Sequence, residues 1–250
     1  MVYELRYDRG HLFGALSGQV LNKILYDGTD WLIGERAVDH ATVIREENNT
    51  AFSFGTDKLD LSEGQNERVQ ELRDVEEFAR EAEDLTELVK DTMSLSTFGR
   101  IGFRVWYLFK VKSSEEGVKS LLRSEVFKIR DNVAKPEEIE ESAIVLVFNK
   151  PESKVRLSLN VVEQSLRIPP GLYAKARSIS HKEKIKQDKV LIEQIKAKKA
   201  IENYPLHAVL VDMDFFIEDP PFPSAIRINE FIVERSKYSK TLLNILFPKA

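Results

Sequence analysis

Residues 207–216 read HAVLVDMDFF, an apolar run that carries two aspartates. As a β-strand it puts Asp212 and Asp214 on one face with Ala208, Leu210 and Phe216. His207, Val209, Val211, Met213 and Phe215 then line the other face. Paired carboxylates with open positions are what Mg²⁺ or Mn²⁺ sites use in phosphoryl and nucleotidyl transfer. One reading is therefore a divalent-metal-dependent enzyme built on Asp212 and Asp214. A third oxygen ligand must come from elsewhere, and element order points to Glu163 or Glu230. Palm-type nucleotidyl domains place acids after such a strand, but they continue with a long helix and a second acidic hairpin. Here one terminal helix follows, between an EDPPFP turn and the C-terminal residue.

The segment RIGFRVWYLFKVK supplies a complementary set. Arg100 and Arg104 share a strand face with Gly102 between them. Two guanidiniums beside a small residue suit a phosphate or carboxylate. They equally suit the acids of a neighbouring strand, Asp212 and Asp214 among them. The pairing is the expected arrangement, because carboxylates removed from water are usually paired. A third set lies in SHKEKIKQDKVLIEQIKAKK, where Lys182, Lys186, Lys189 and Lys196 share part of a helix face. Such a face can contact nucleic-acid phosphates. No aromatic residue is interleaved for base stacking, and Glu183, Asp188 and Glu193 dilute the charge, so a solvated helix with i,i+4 pairs is expected.

Other chemistries find no residues. The four histidines, His11, His40, His181 and His207, lack zinc-ligand spacing. GALSGQ is followed by no G-K-[ST], so it is not a phosphate loop. Cysteine is absent, which removes disulfides, thiolate metal sites and a thiol nucleophile. The catalytic residues, if any, are unknown at this stage, and no cofactor is expected.

These residues need elements to position them. Val2 to Tyr7 alternates as a short strand, and His11 to Tyr26 has near-helical apolar spacing. Trp31 to Arg45 and Thr50 to Leu61 read as two strands joined through EENN. An acidic helix is predicted from about Glu67 to Leu95, with an apolar stripe at steps of three and four. After the Arg100 strand come a short helix over Glu115 to Phe127, a polar loop, and a hairpin over Ser142 to Glu163. RIPPGLY reads as a loop, Ser180 to Asn203 as the lysine-rich helix, and Ala225 to Leu246 as the last helix. Strand–helix–strand–strand–helix thus occurs twice. The expected fold is α+β, with antiparallel sheets and helices on one face. The order also fits two tandem βαββα (ferredoxin-like) units. Residues 1–98 would form the first and 99–250 the second, a βαββα-β-α unit, the two packed as one body.

The chain of 250 residues is 42% apolar and 31% charged, with a formal net charge of -4, values ordinary for a chain with its own core. That balance gives no global attraction to nucleic acid or anionic membrane. No window offers the roughly 20 apolar residues of a membrane helix, and the start lacks a secretory pattern. A cytoplasmic protein with no membrane partner is expected.

Arg100, Ile101, Gly102 and Arg104 after an acidic helix, with Asp212 and Asp214 before the terminal helix, resemble a known pattern. It is similar to a sporadically distributed bacterial family of uncharacterised proteins with a mid-chain R-I-G-x-R strand and an Asp-x-Asp strand. The resemblance implies a chain architecture and a bacterial setting. The leading expectation for function is a non-catalytic interaction or scaffold protein. A homodimer is expected from the apolar supply of two long helices, and any other protein partner is unknown. A nucleic-acid-binding module built from tandem ferredoxin-like units is the alternative.

Overall fold

The computed structural model describes residues 1–8, 10–26, 30–65, 71–126, 139, 142–150, 153–163, 207–220 and 227–248. In chain order the elements are β1 (Val2–Tyr7), a 3₁₀ turn (Gly10–Leu12), α1 (Phe13–Tyr26), β2 (Leu32–Arg36), β3 (His40–Arg45), β4 (Thr50–Gly55), β5 (Lys58–Glu63) and α2 (Val75–Met93). Then come β6 (Phe98–Val111), α3 (Ser114–Arg123), β7 (Ala143–Lys150), β8 (Ser153–Glu163), β9 (His207–Glu218) and α4 (Ile228–Leu246). The strands form one nine-stranded sheet of order β2-β3-β4-β5-β1-β6-β9-β8-β7.

Two segments expected as single strands are hairpins. Trp31 to Arg45 bends at residues 37–39 into β2 and β3, and Thr50 to Leu61 bends at Thr56 and Asp57 into β4 and β5. The two bends dock on each other, since Thr56 N donates to the Asp39 carbonyl (3.1 Å). A Cβ on Gly55 would stand 2.7 Å from that same carbonyl, so only glycine fits this approach. The acidic helix also starts later than expected. Asp74 caps it by accepting from Glu76 N at 2.8 Å, and Ser94 closes it in the left-handed region.

Read outward from the β1–β6 junction, the order is β1-β5-β4-β3-β2 on one side and β6-β9-β8-β7 on the other. Each half begins strand–helix and ends in a helix. Every described strand pair is antiparallel. The strands form one continuous nine-stranded sheet, and its order does not mark off two separate ferredoxin-like units.

Strand alternation sorts the residues between two faces. Tyr3, Leu5, Phe52, Leu61, Ile101, Phe103, Leu157, Met213 and Phe215 are buried on one of them. All described helices lie against that face. Thr86 Oγ1 of α2 stands 3.2 Å from the Tyr3 hydroxyl, and the α4 residue Ser239 bonds Tyr107 at 2.8 Å. Gly117 of α3 packs so closely on β8 that a Cβ would lie 2.9 Å from Val161. The apolar stripe of α2, including Phe78, Ala82, Leu85 and Val89, is buried in this core. The described residues thus form a two-layer α+β structure, with helices on one sheet face and the charged side chains of β1, β6 and β9 on the other. Among the described residues no helix is long and apolar enough to cross a membrane.

Candidate functional site

The polar face carries the residues that the sequence singles out. Arg100, Gly102, Arg104 and Trp106 point outward from β6, and Asp212, Asp214 and Phe216 from β9, because Ile101, Phe103, Val211, Met213 and Phe215 take the core side. Register sets Arg104 opposite Asp214, Trp106 opposite Asp212 and Gly102 opposite Phe216. On the other side of β6, Glu4 of β1 faces Gly102.

The charges satisfy one another diagonally. Arg104 binds Asp212 through two parallel hydrogen bonds, Nε to Oδ1 at 2.8 Å and Nη2 to Oδ2 at 2.5 Å. Arg100 donates Nη2 to Asp214 Oδ2 (2.6 Å) and Nη1 to Glu4 Oε1 (3.0 Å). Arg6 Nε donates to the same Glu4 oxygen at 2.8 Å. Lys154 and Glu218 pair across β8 and β9. The two guanidiniums also lie over rings, Arg100 4.7 Å from the Phe216 centroid and Arg104 4.9 Å from that of Trp106. Each planar fork therefore meets a carboxylate at its edge and an aromatic on its face, which lysine would not reproduce.

Asp212, Asp214, Glu4 and Arg100 are mostly covered, whereas the Arg104 side chain is 47% exposed. Burial pushes the Asp214 carboxyl above its ordinary value, with Asp212 adding to the rise, while Arg100 and Arg104 act against it. Burial likewise raises Asp60 on β5, against the pull of Lys58. The hydrogen bond to Asp212 raises the Arg104 guanidinium further.

The raised Asp214 carboxyl gives a pH dependence with a definite sign. A carboxyl whose folded pKa exceeds its unfolded pKa adds stability below the unfolded value, and this is lost as pH rises through the folded value. Asp214→Asn removes the charge that burial penalises. Its melting temperature relative to wild type is therefore expected to be higher at pH 7 than at pH 4. A difference independent of pH, or one that grows on acidification, would contradict the burial account.

The backbone sets neither proposed third metal ligand beside the aspartates. Glu163 stands opposite His207, whereas Asp212 stands opposite Ser158. The five-residue offset is roughly 17 Å along the strand. Glu230 is on α4, behind the other face, and pairs with Arg227 at 2.6 Å. Among the described residues no group of three His, Asp or Glu side chains is placed to hold a metal. Lys182, Lys186, Lys189 and Lys196 lie outside the described residues.

Sequence reasoning missed several members of this surface. Glu4 and Arg6 alternate with Tyr3, Leu5 and Tyr7, a signal that β1 has a charged outer face, but only register reveals Glu4 as a ligand of Arg100. Arg156 of β8, opposite Asp214, is exposed and has no ion-pair partner among the described residues. Trp106 is 39% exposed and borders a cleft of about 400 Å³ with Val2, Ile44, Ala51 and Ser62. A second cleft, about 370 Å³, lies near His40, Ser53, Lys58 and Asp60. Neither cleft is lined by the four paired residues.

A second ionic cluster sits on the helix side. Glu63 accepts from Arg73 N (2.8 Å) and Arg73 Nε (2.5 Å). Arg73 also pairs with Glu81, and Glu81 with Arg45. Arg45 lies over Trp31 and Arg73 over Phe78. Glu81 belongs to the helix face that the sequence presents as exposed, yet it joins α2 to β3.

Fold and surface together define an α+β protein whose single antiparallel sheet has one face without a helix among the described residues. No protein-family profile, curated protein or solved structure matches the chain.

Proposed function

We propose that this chain is a non-catalytic interaction protein that works as a homodimer and holds a partner on the open sheet face. One observation carries the reading: the side chains best suited to chemistry are engaged with each other. Asp212 is held bidentately by Arg104, and Asp214 shares Arg100 with Glu4. A ladder of this kind shapes a surface and fixes its side chains, and it leaves no unengaged acid or base among the four. The resemblance to an uncharacterised bacterial family, the bacterial setting and the cytoplasmic location belong to the same proposal. So does a tandem origin of residues 1–98 and 99–250, favoured by the mirrored element order. A ferredoxin-like pairing within each half is not part of it.

Light scattering on the full chain tests the dimer. Twice 28.7 kDa is expected at micromolar concentration, and 28.7 kDa at every concentration would end this reading. A nucleic-acid-binding module is the second reading, favoured by exposed Trp106 and by Arg156, which has no ion-pair partner among the described residues. Sheet-borne aromatics stack bases in single-strand readers. A gel shift with generic RNA and DNA decides it, since phosphate binding is strongest at low salt. Binding that weakens steeply with salt and is lost in Trp106→Ala would favour this second reading.

A further inference from the structure

The two sheet edges are built differently. β2 has five residues, a register shift between Ile33 and Glu35, and the charges of Glu35 and Arg36. A short, bulged and charged strand resists further pairing. β7 has eight residues, AIVLVFNK, in unbroken register with β8. It holds no proline and no charge before Lys150, and Val145, Leu146 and Val147 are 50%, 41% and 61% exposed. Along its outer side alternate residues present backbone N–H and C=O groups without a strand partner among the described residues. A long, flat, apolar edge is the kind that proteins either protect or use.

From this we infer that β7 pairs antiparallel with β7 of a second copy, across a two-fold axis at Leu146. The deduction gives the proposed homodimer its surface and rests on that reading. The strand is complementary to itself in this register. Leu146 faces its own counterpart, Val145 faces Val147, Ile144 faces Phe148, and Ala143 faces Asn149. Like residues thus meet across both faces, and Val145 and Val147 stay on the polar side with Arg156 and Ser158. The only charge, Lys150, falls opposite Ser142, so no like charges oppose. An acidic or basic strand would find no complementary charge here, whereas a second copy sets apolar residues against one another from Ile144 to Phe148. The interface is isologous, as a two-fold dimer requires, and it joins the two open faces into one continuous platform.

The test uses the cysteine-free full chain. Leu146→Cys places two thiols across the axis, where directly opposed Cβ atoms are about 5 Å apart, close to disulfide range. Mild oxidation is expected to give a covalent dimer. Val38→Cys, on the exposed β2–β3 turn, serves as the control and should give none. Val145→Lys with Val147→Lys sets like charges opposite each other at solvent-exposed positions. In that variant the dimer should weaken by at least about tenfold by light scattering, with its circular dichroism unchanged. A double variant that dimerises as wild type, with no Leu146→Cys cross-link, would overturn the β7 assignment and leave the homodimer on another surface. A monomeric wild type that also fails to cross-link would overturn both, whether or not β7 then captures a strand from another protein.

Discussion

Glu63→Ala is expected to lower the unfolding free energy by about 3–5 kcal/mol, the range for breaking a buried ion pair from one side. The Glu63 side chain is 0% exposed, and both of its oxygens accept from Arg73. Truncation leaves the Arg73 guanidinium over the Phe78 ring, with Glu81 as its remaining partner. The loss reaches beyond one pair, because Glu63 ends β5, Arg73 precedes α2, and Glu81 carries the link to Arg45 on β3. Urea denaturation followed by circular dichroism measures it. A change under about 1 kcal/mol would mean that the cluster contributes no more than an exposed pair.

Phe103→Ala is expected to cost a similar amount, about 3–5 kcal/mol, through lost burial and the cavity left behind. Its wider consequence concerns the two halves. Phe103 stands opposite Tyr3 on β1 and Phe215 on β9, so it occupies the strand pair that joins them. Tyr3, Phe103 and Phe215 belong to one contiguous core. Wild type and variant should therefore each unfold in a single transition, the variant at lower urea. Trp31 reports on the first half and Trp106 on the junction itself, and their fluorescence should change together. Separate transitions would show that the halves have independent cores.

Local chemistry made much of this legible. Alternation in VLVDMDFF placed Asp212 and Asp214 together on the side of β9 away from Val211, Met213 and Phe215. The same period put Arg100 and Arg104 on one face of β6, and the apolar stripe of α2 named its buried side. What the sequence hid depends on register between distant segments. Glu4 lies 96 residues before Arg100, and nothing in either segment announces the other. The bend at Thr56–Asp57 shows in the sequence only as a change of apolar phase, from Phe52 and Phe54 to Leu59 and Leu61, and at Asp39 the exposed Val38 stands out of phase with Ala41 and Val43. Their docking is a tertiary contact that no local pattern encodes. Glu81 looked solvated because its neighbours on the helix are charged, whereas the cations that cover it come from β3 and from the chain before α2.

The proposed function treats Asp212 and Asp214 as ion-pair residues of the outer sheet face and not as metal ligands. A thermal melt of wild type and Asp212→Asn, each with and without millimolar Mg²⁺ or Mn²⁺, tests it most directly. The variant forfeits a bidentate, charge-assisted contact whose Arg104 side is half exposed, so a loss of about 1–2 kcal/mol is expected. That appears as a lower melting temperature, with no effect of either metal on either protein. A metal that bound only the folded state would raise the wild-type melting temperature. Such a rise, abolished by Asp212→Asn, would contradict the account and make these two carboxylates the centre of a metal-dependent enzyme.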